Sequence, residues 1–260
     1  MGSIISAEAD ALAHIGTINH FEELMSPDTT DEARFTPGYL LLLIVSIPAA
    51  SYIYYLVGTR VFASPLSKME YLVFSSLLAV VITGAYQLFF WVQRNNHRFK
   101  TRMMKIRIDD FIPFWPRWIW IYSFLYYVMI GGVVASIKSL EEGVYLIFGG
   151  LVLLLMQVTL FYFFPATTPP DYRQFEVNTI STRYLKFVQG VDNGRNCMPS
   201  MHCSVAMYIA LILYPTLGIG SIIFLVLISV SCLLVKQHMI MDIAPGLLLG
   251  WVAFQMVGIY

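Results

Sequence analysis

Three ionisable side chains stand at the ends of the last apolar segments of the chain. His202 closes the string Asn196-Cys-Met-Pro-Ser-Met-His202, and His238 and Asp242 frame Lys236-Gln-His-Met-Ile-Met-Asp242. His238 and Asp242 are spaced i, i+4, so on a helix they share a face and can touch. A carboxylate against one imidazole nitrogen fixes the tautomer and leaves the other nitrogen as a base or nucleophile. A second histidine beside the first can hold or give a proton. Such a set can run phosphoryl transfer, in which a loose transition state asks chiefly for positioning and positive charge. The same pair can also form a buried polar clasp, half a metal site or a proton relay. The chain has no HExxH string and no carboxylate-rich helix, so neither a metal nor another cofactor is expected. Relays of transporters lie near the midplane of broken helices, often in internal repeats. Here the groups lie at helix ends and no repeat is visible.

Pro199 suits the first turn of a helix, where its fixed φ fits and its missing N–H is not needed. The spacing therefore predicts a helix start at 199, with the N–H groups of Ser200, Met201 and His202 open to a phosphate. The Ser200 hydroxyl would add a further donor.

The elements that must position these residues are apolar. The chain has 260 residues, 58% of them hydrophobic and 12% charged, with a mean hydropathy of +0.68. Soluble domains carry about 25% charged residues. Seven candidate spans approach the roughly 20 apolar residues needed to cross a bilayer: 39–58, 71–92, 118–137, 144–164, 199–217, 219–235 and 239–260. In a bilayer every backbone group must be paired internally, so the expected fold is an all-α integral membrane bundle of about seven transmembrane helices. Counting spans brings residues 93–117, 165–198 and 236–238 to one side, and so brings the two histidine strings together. Most of the 16 Lys and Arg residues fall on that side. The positive-inside rule would make it cytosolic, although an anionic substrate also collects cations.

Residues 1–37 form a polar, acidic N-terminal segment, with short apolar clusters at Ile15, Ile18 and Phe21 and no signal-peptide core. Residues 38–260 read as a single membrane domain. The basic half of the 93–117 loop, interleaved with Phe99, Met103, Met104 and Ile106, predicts an interfacial helix. Its second half is interrupted by Pro113 and Pro116. The long connection from 165 to 198 predicts a lid or wall of the site. Net formal charge is zero, and membrane lipids, not nucleic acid, are the expected partners. Cys197, Cys203 and Cys232 form no CxxC pair and read as small buried apolar residues.

Pro199-Ser-Met-His202 and His238-Met-Ile-Met-Asp242 resemble the second and third motifs of the type 2 phosphatidic acid phosphatase superfamily. The fuller strings, with Asp110-Phe-Ile-Pro-Phe-Trp-Pro116 and Phe164-Pro-Ala-Thr-Thr-Pro-Pro170, are similar to its inositol phosphotransferase-like branch. That branch includes inositol phosphorylceramide synthases, with sphingomyelin synthases as relatives. The resemblance implies a six-helix core at about 70–260 plus one extra N-terminal helix, and a metal-independent lipid phosphotransferase. His238 would attack phosphorus, His202 would protonate the leaving oxygen, and Asp242 would orient His238. Ser200, Lys236, Arg173, Arg195 and Asn196 would hold the phosphate, and Asp110, Arg183 and Lys186 are headgroup-site candidates. The third motif usually carries an arginine six residues before its histidine; here that position is Cys232, with Lys236 as substitute. The first motif is absent in clean form, and Arg173 is the candidate for its arginine. A phospholipid donor and a ceramide or diacylglycerol acceptor are implied, with hydrolysis by water as the alternative and non-catalytic lipid binding as a third reading. By resemblance the site would face the lumen or the exterior of an endoplasmic reticulum, Golgi or plasma membrane.

Overall fold

The computed structural model describes residues 37–191 and 194–258, with side chains from Val45 onward. The acidic segment before Pro37, and Asp192 and Asn193 of the long connection, lie outside the described residues. From Leu42 onward the chain packs as one unit.

Eight α-helices carry the described chain, which contains no β-strand: α1 Pro37–Val61, α2 Lys68–Asn95, α3 Tyr126–Ser136, α4 Leu140–Phe163, α5 Ile180–Val191, α6 Met201–Leu217, α7 Ile219–Leu234 and α8 Ile240–Val257. A turn of π-helix, Ile121–Leu125, leads into α3. Helix starts follow local chemistry. Ser67 and Glu70 form a reciprocal capping box at α2, and the Ser139 hydroxyl accepts the Glu142 N–H at the start of α4. Such caps satisfy helix donors that otherwise have no partner.

Among the described residues, four helical segments are long and apolar enough to cross a membrane: Lys68–Arg98, Pro116–Ser136, Leu140–Phe163 and Ile240–Val257. α6 and α7 are apolar but shorter, so among the described residues four of the seven expected spans reach crossing length. Their outer faces are apolar. Met69, Val73, Leu77 and Val80 line an exposed stripe on α2, and Val144, Phe148, Leu151 and Leu155 one on α4. Contiguous apolar surface of this extent fits acyl chains, not water.

α6 lies at the centre, packed against α3, α7 and α8. Ala206, Ile209, Ala210 and Leu213 of α6 join Phe224, Ile228 and Cys232 of α7 and Tyr122 and Tyr126 of the third span in one buried cluster. Against α8 the approach is so close that a Cβ on Gly246 would sit 2.6 Å from the Ser200 carbonyl oxygen, and one on Gly250 would overlap that of Ser204. Two glycines four residues apart let helix backbones meet in lipid. This contact holds the starts of α6 and α8, and with them His202 and Asp242, at one end of the bundle.

The loops at that end are stitched by backbone bonds. Arg102 N–H donates to Pro165 O (3.0 Å), Thr167 N–H to Arg102 O (2.9 Å) and Cys197 N–H to Ala166 O (3.1 Å). Residues 99–106 therefore run extended, and the interfacial helix expected there does not form: the backbone of Arg102 is committed to its neighbour loop. A helix appears instead in the 165–198 connection, as α5.

Candidate active site

The site is built where the starts of α6 and α8 meet the stitched loops. His238 stands in the short link between α7 and α8. Its Nδ1 lies 2.9 Å from the Cys197 carbonyl oxygen and 3.5 Å from Asp242 Oδ2. A carbonyl only accepts, so Nδ1 carries the proton and Nε2 is left for chemistry. The sequence assigns tautomer control to Asp242; the structure gives the shorter bond to Cys197 and leaves Asp242 as the counter-charge. Burial opposes protonation of His238, but the Asp242 hydrogen bond and charge, with help from Cys197, outweigh it and raise its pKa above the ordinary 6.5.

Asp242 is fully buried and is the third residue of α8. Its Oδ2 accepts the Met239 N–H at 2.8 Å, which fixes the carboxylate at the helix start. The second donor of this helix start, Ile240 N–H, goes to Asp109 Oδ1 at 2.9 Å. Both N–H groups thus face carboxylates, as the positive end of a helix favours.

His202 is in the first turn of α6. Its ring stacks on Tyr122 (centroids 3.9 Å, planes 25° apart), and the Tyr122 hydroxyl lies 3.0 Å from its Nδ1. Tyr126 packs at 4.8 Å. Two sides of the imidazole are so fixed, and the rings of His202 and His238 lie 6.2 Å apart.

α6 begins at Met201, two residues later than the sequence predicts. Ser200 is its N-cap: the buried hydroxyl accepts the Cys203 N–H (3.3 Å), and the Ser200 N–H donates to the Asp242 carbonyl (2.9 Å). Ser200 thereby ties the two helix starts together, and its N–H is not open to a phosphate. The N–H groups of Met201 and His202 have no backbone partner among the described residues. They are the donors an anion can reach at this helix start. Behind it, Gln157 of α4 donates to the Pro199 carbonyl and accepts from Ser204 Oγ at 3.0 Å.

Three buried polar atoms of these segments have no hydrogen-bond partner among the described residues: Asn196 Nδ2, Gln237 Nε2 and Asp242 Oδ1. Asn196 is held through its Oδ1, which accepts from Asn96 Nδ2 at 2.9 Å. A buried orphan costs about 1–3 kcal/mol, so such a group in a native protein calls for a bound partner.

The expected cations are placed differently. Lys236 donates to the carbonyls of Asp109 (3.1 Å) and Ile112 (2.7 Å) and lies over the Tyr172 ring. It therefore buttresses the 107–112 turn and lines a cavity of about 300 Å³ with Asp109, Asp110, Asp171, Tyr172 and Phe175. Burial lowers its pKa. Arg173 Nη1 donates to the Gln189 carbonyl (3.1 Å) and its guanidinium packs on Gly194, whose φ of +73° and lack of Cβ make room for it. Lys186 donates to the Arg173 carbonyl, and Arg195 Nη2 to Thr101 Oγ1 (2.9 Å). Arg183 is exposed on α5. Asp110 is exposed and pairs with Lys105 at 2.7 Å; Asp109 beside it is the buried carboxylate that reaches the site's helix. All three cysteines are buried and form no disulfide, and Cys232 packs in the core cluster with Cys203 of α6.

A partly buried histidine, a buried histidine and a buried carboxylate thus stand together at one end of an apolar helical bundle. The profile of the PAP2 superfamily matches residues 116–256, more than half of the chain, and the chain belongs to that superfamily. Its members are typically phosphatases and phosphotransferases, so membership points to enzymatic chemistry on lipid phosphates and, with the four long apolar helices, fits a multi-pass membrane protein. No curated protein and no solved structure matches the chain.

Proposed function

We propose that the protein is a metal-independent lipid phosphotransferase working through a phosphohistidine. The observation that carries this reading is the Nδ1 of His238 held on the Cys197 carbonyl, with Nε2 left over and His202 facing it. In the first step Nε2 forms a bond to phosphorus, the P–O bond to the lipid alcohol breaks, and His202 gives its proton to the departing oxygen. In the second, His202 takes the proton of an incoming hydroxyl, whose oxygen attacks phosphorus as the N–P bond breaks. The N–H groups of Met201 and His202, with Asn196 Nδ2 and Gln237 Nε2, hold the phosphate oxygens, and Arg173 and Arg195 supply positive charge from the second rank.

We assign the chain to the inositol phosphotransferase-like branch, with a phospholipid donor and a ceramide or diacylglycerol acceptor. Transfer to a lipid alcohol requires water to be kept from the phosphohistidine, a task we assign to the loops joined by backbone bonds at this end of the bundle. α1, α6 and α7 complete a seven-helix bundle with the four longer spans. The deciding experiment uses purified protein and a headgroup-labelled phospholipid, with and without ceramide or diacylglycerol, in EDTA. Labelled product lipid that needs the acceptor supports transfer, and soluble labelled headgroup phosphate alone identifies a phosphatase. Activity undiminished in His238→Ala overturns the mechanism.

A further inference from the structure

We propose that α5 lies in the plane of the membrane, with one face inserted at the boundary between headgroups and acyl chains. At 100° per residue its side chains separate into three faces. Ser181, Thr182, Leu185 and Gln189 are buried against the protein, and Leu185 is part of the main core. Arg183 and Lys186 occupy a polar exposed face. Ile180, Phe187 and Val191 form a third stripe, closed by half-buried Tyr184, and are 74%, 66% and 52% exposed. An exposed apolar stripe bounded by cations is the pattern of an interfacial helix.

What covers that stripe follows from where α5 is fastened. It packs on the Pro116–Trp118 turn, which opens the Pro116–Ser136 membrane-length segment. Trp120 Nε1 donates to Ser181 Oγ at 3.0 Å, and the Trp120 and Tyr184 rings stack in parallel at 5.1 Å. A helix fixed to the first turn of a span sits at the bilayer surface, and Trp and Tyr prefer that level. The basic face suits anionic headgroups. The partner is therefore the lipid surface itself. Because Gln189 binds Arg173 and the chain runs on from α5 to Asn196 and Cys197, insertion would set the roof of the site at the height of lipid phosphates.

The test is independent of catalysis. Single cysteines are introduced at Phe187, Ile180 and Arg183 in the full chain, spin-labelled and reconstituted in liposomes of mixed anionic and neutral phospholipid; the native cysteines are all buried. Labels at Phe187→Cys and Ile180→Cys are expected to collide more with oxygen than with an aqueous nickel chelate, with the order reversed at Arg183→Cys. Nickel exceeding oxygen at both apolar positions overturns the proposal. So does a label screened from both reagents whether lipid or detergent surrounds the protein, which would mean that another part of the chain covers the stripe.

Discussion

Tyr122→Phe isolates the hydrogen bond to His202, the acid of the proposed mechanism. The substitution keeps the ring stacked on His202 at 3.9 Å and removes only the hydroxyl that lies 3.0 Å from Nδ1. A hydroxyl both donates and accepts, so it can hold the imidazole before and after His202 has given its proton from Nε2. A bond of this kind is worth about 0.5–1.5 kcal/mol net, which corresponds to roughly 2- to 10-fold in rate. The loss should appear only where the leaving group needs a proton. The assay compares a lipid phosphate, whose leaving group is an alkoxide, with an aryl phosphate whose nitrophenolate departs unprotonated. Turnover of the first should fall by that factor while the second holds. Equal loss on both substrates would mean a general disturbance of the site, and no loss on either would mean that Tyr122 does not position His202. Either result refutes the reasoning.

Other consequences follow from the same geometry. The proposed mechanism needs neutral His238, whose pKa is raised by Asp242, so activity should fall as pH drops through a value above 6.5, and Asp242→Asn should move that inflection to lower pH while slowing turnover. Asp109→Ala removes the acceptor of the Ile240 and Ile106 N–H groups; at about 1.5–3 kcal/mol for each charged bond it should lower the thermal midpoint clearly, whereas Asp110→Ala, at an exposed pair, should leave it in place. Gly250→Ala forces a methyl onto the Ser204 carbonyl, and overpacking of about 1–3 kcal/mol should lower the midpoint and displace His202 from Asp242, with activity lost before the fold.

The all-helical class and the meeting of the two histidine strings were legible because apolar run length and i, i+4 spacing are local signals. Span length was less so: Pro199 suggested an early helix start, but the Ser200 side chain and the Asp242 carbonyl fix the start of α6 at Met201. Partners distant in sequence were invisible. Tyr122 reaches His202 from a π-helical turn of another span, and nothing in its neighbourhood marks it. Asp109 and Asp110 are adjacent carboxylates, and only packing decides which of them turns inward. The Gly246-Leu-Leu-Leu-Gly250 spacing was readable as a helix-contact signal and Gln237 as a polar neighbour of His238, yet neither stands out without the structure. Lys236 showed the opposite failure: its position two residues before His238 suggested a phosphate ligand, while its positive φ of 57° and two carbonyl partners turn its ammonium to the neighbouring turn.

The central claim is that His238 carries the phosphoryl group between donor and acceptor. It is tested most directly by quenching the protein in denaturant during turnover of a lipid labelled at phosphorus, then digesting and sequencing the labelled peptide. The account predicts an acid-labile, base-stable label on the peptide containing His238, absent in His238→Ala and lost on chase with acceptor. A wild-type protein that turns over without any such label, or a label that persists in His238→Ala, would contradict it.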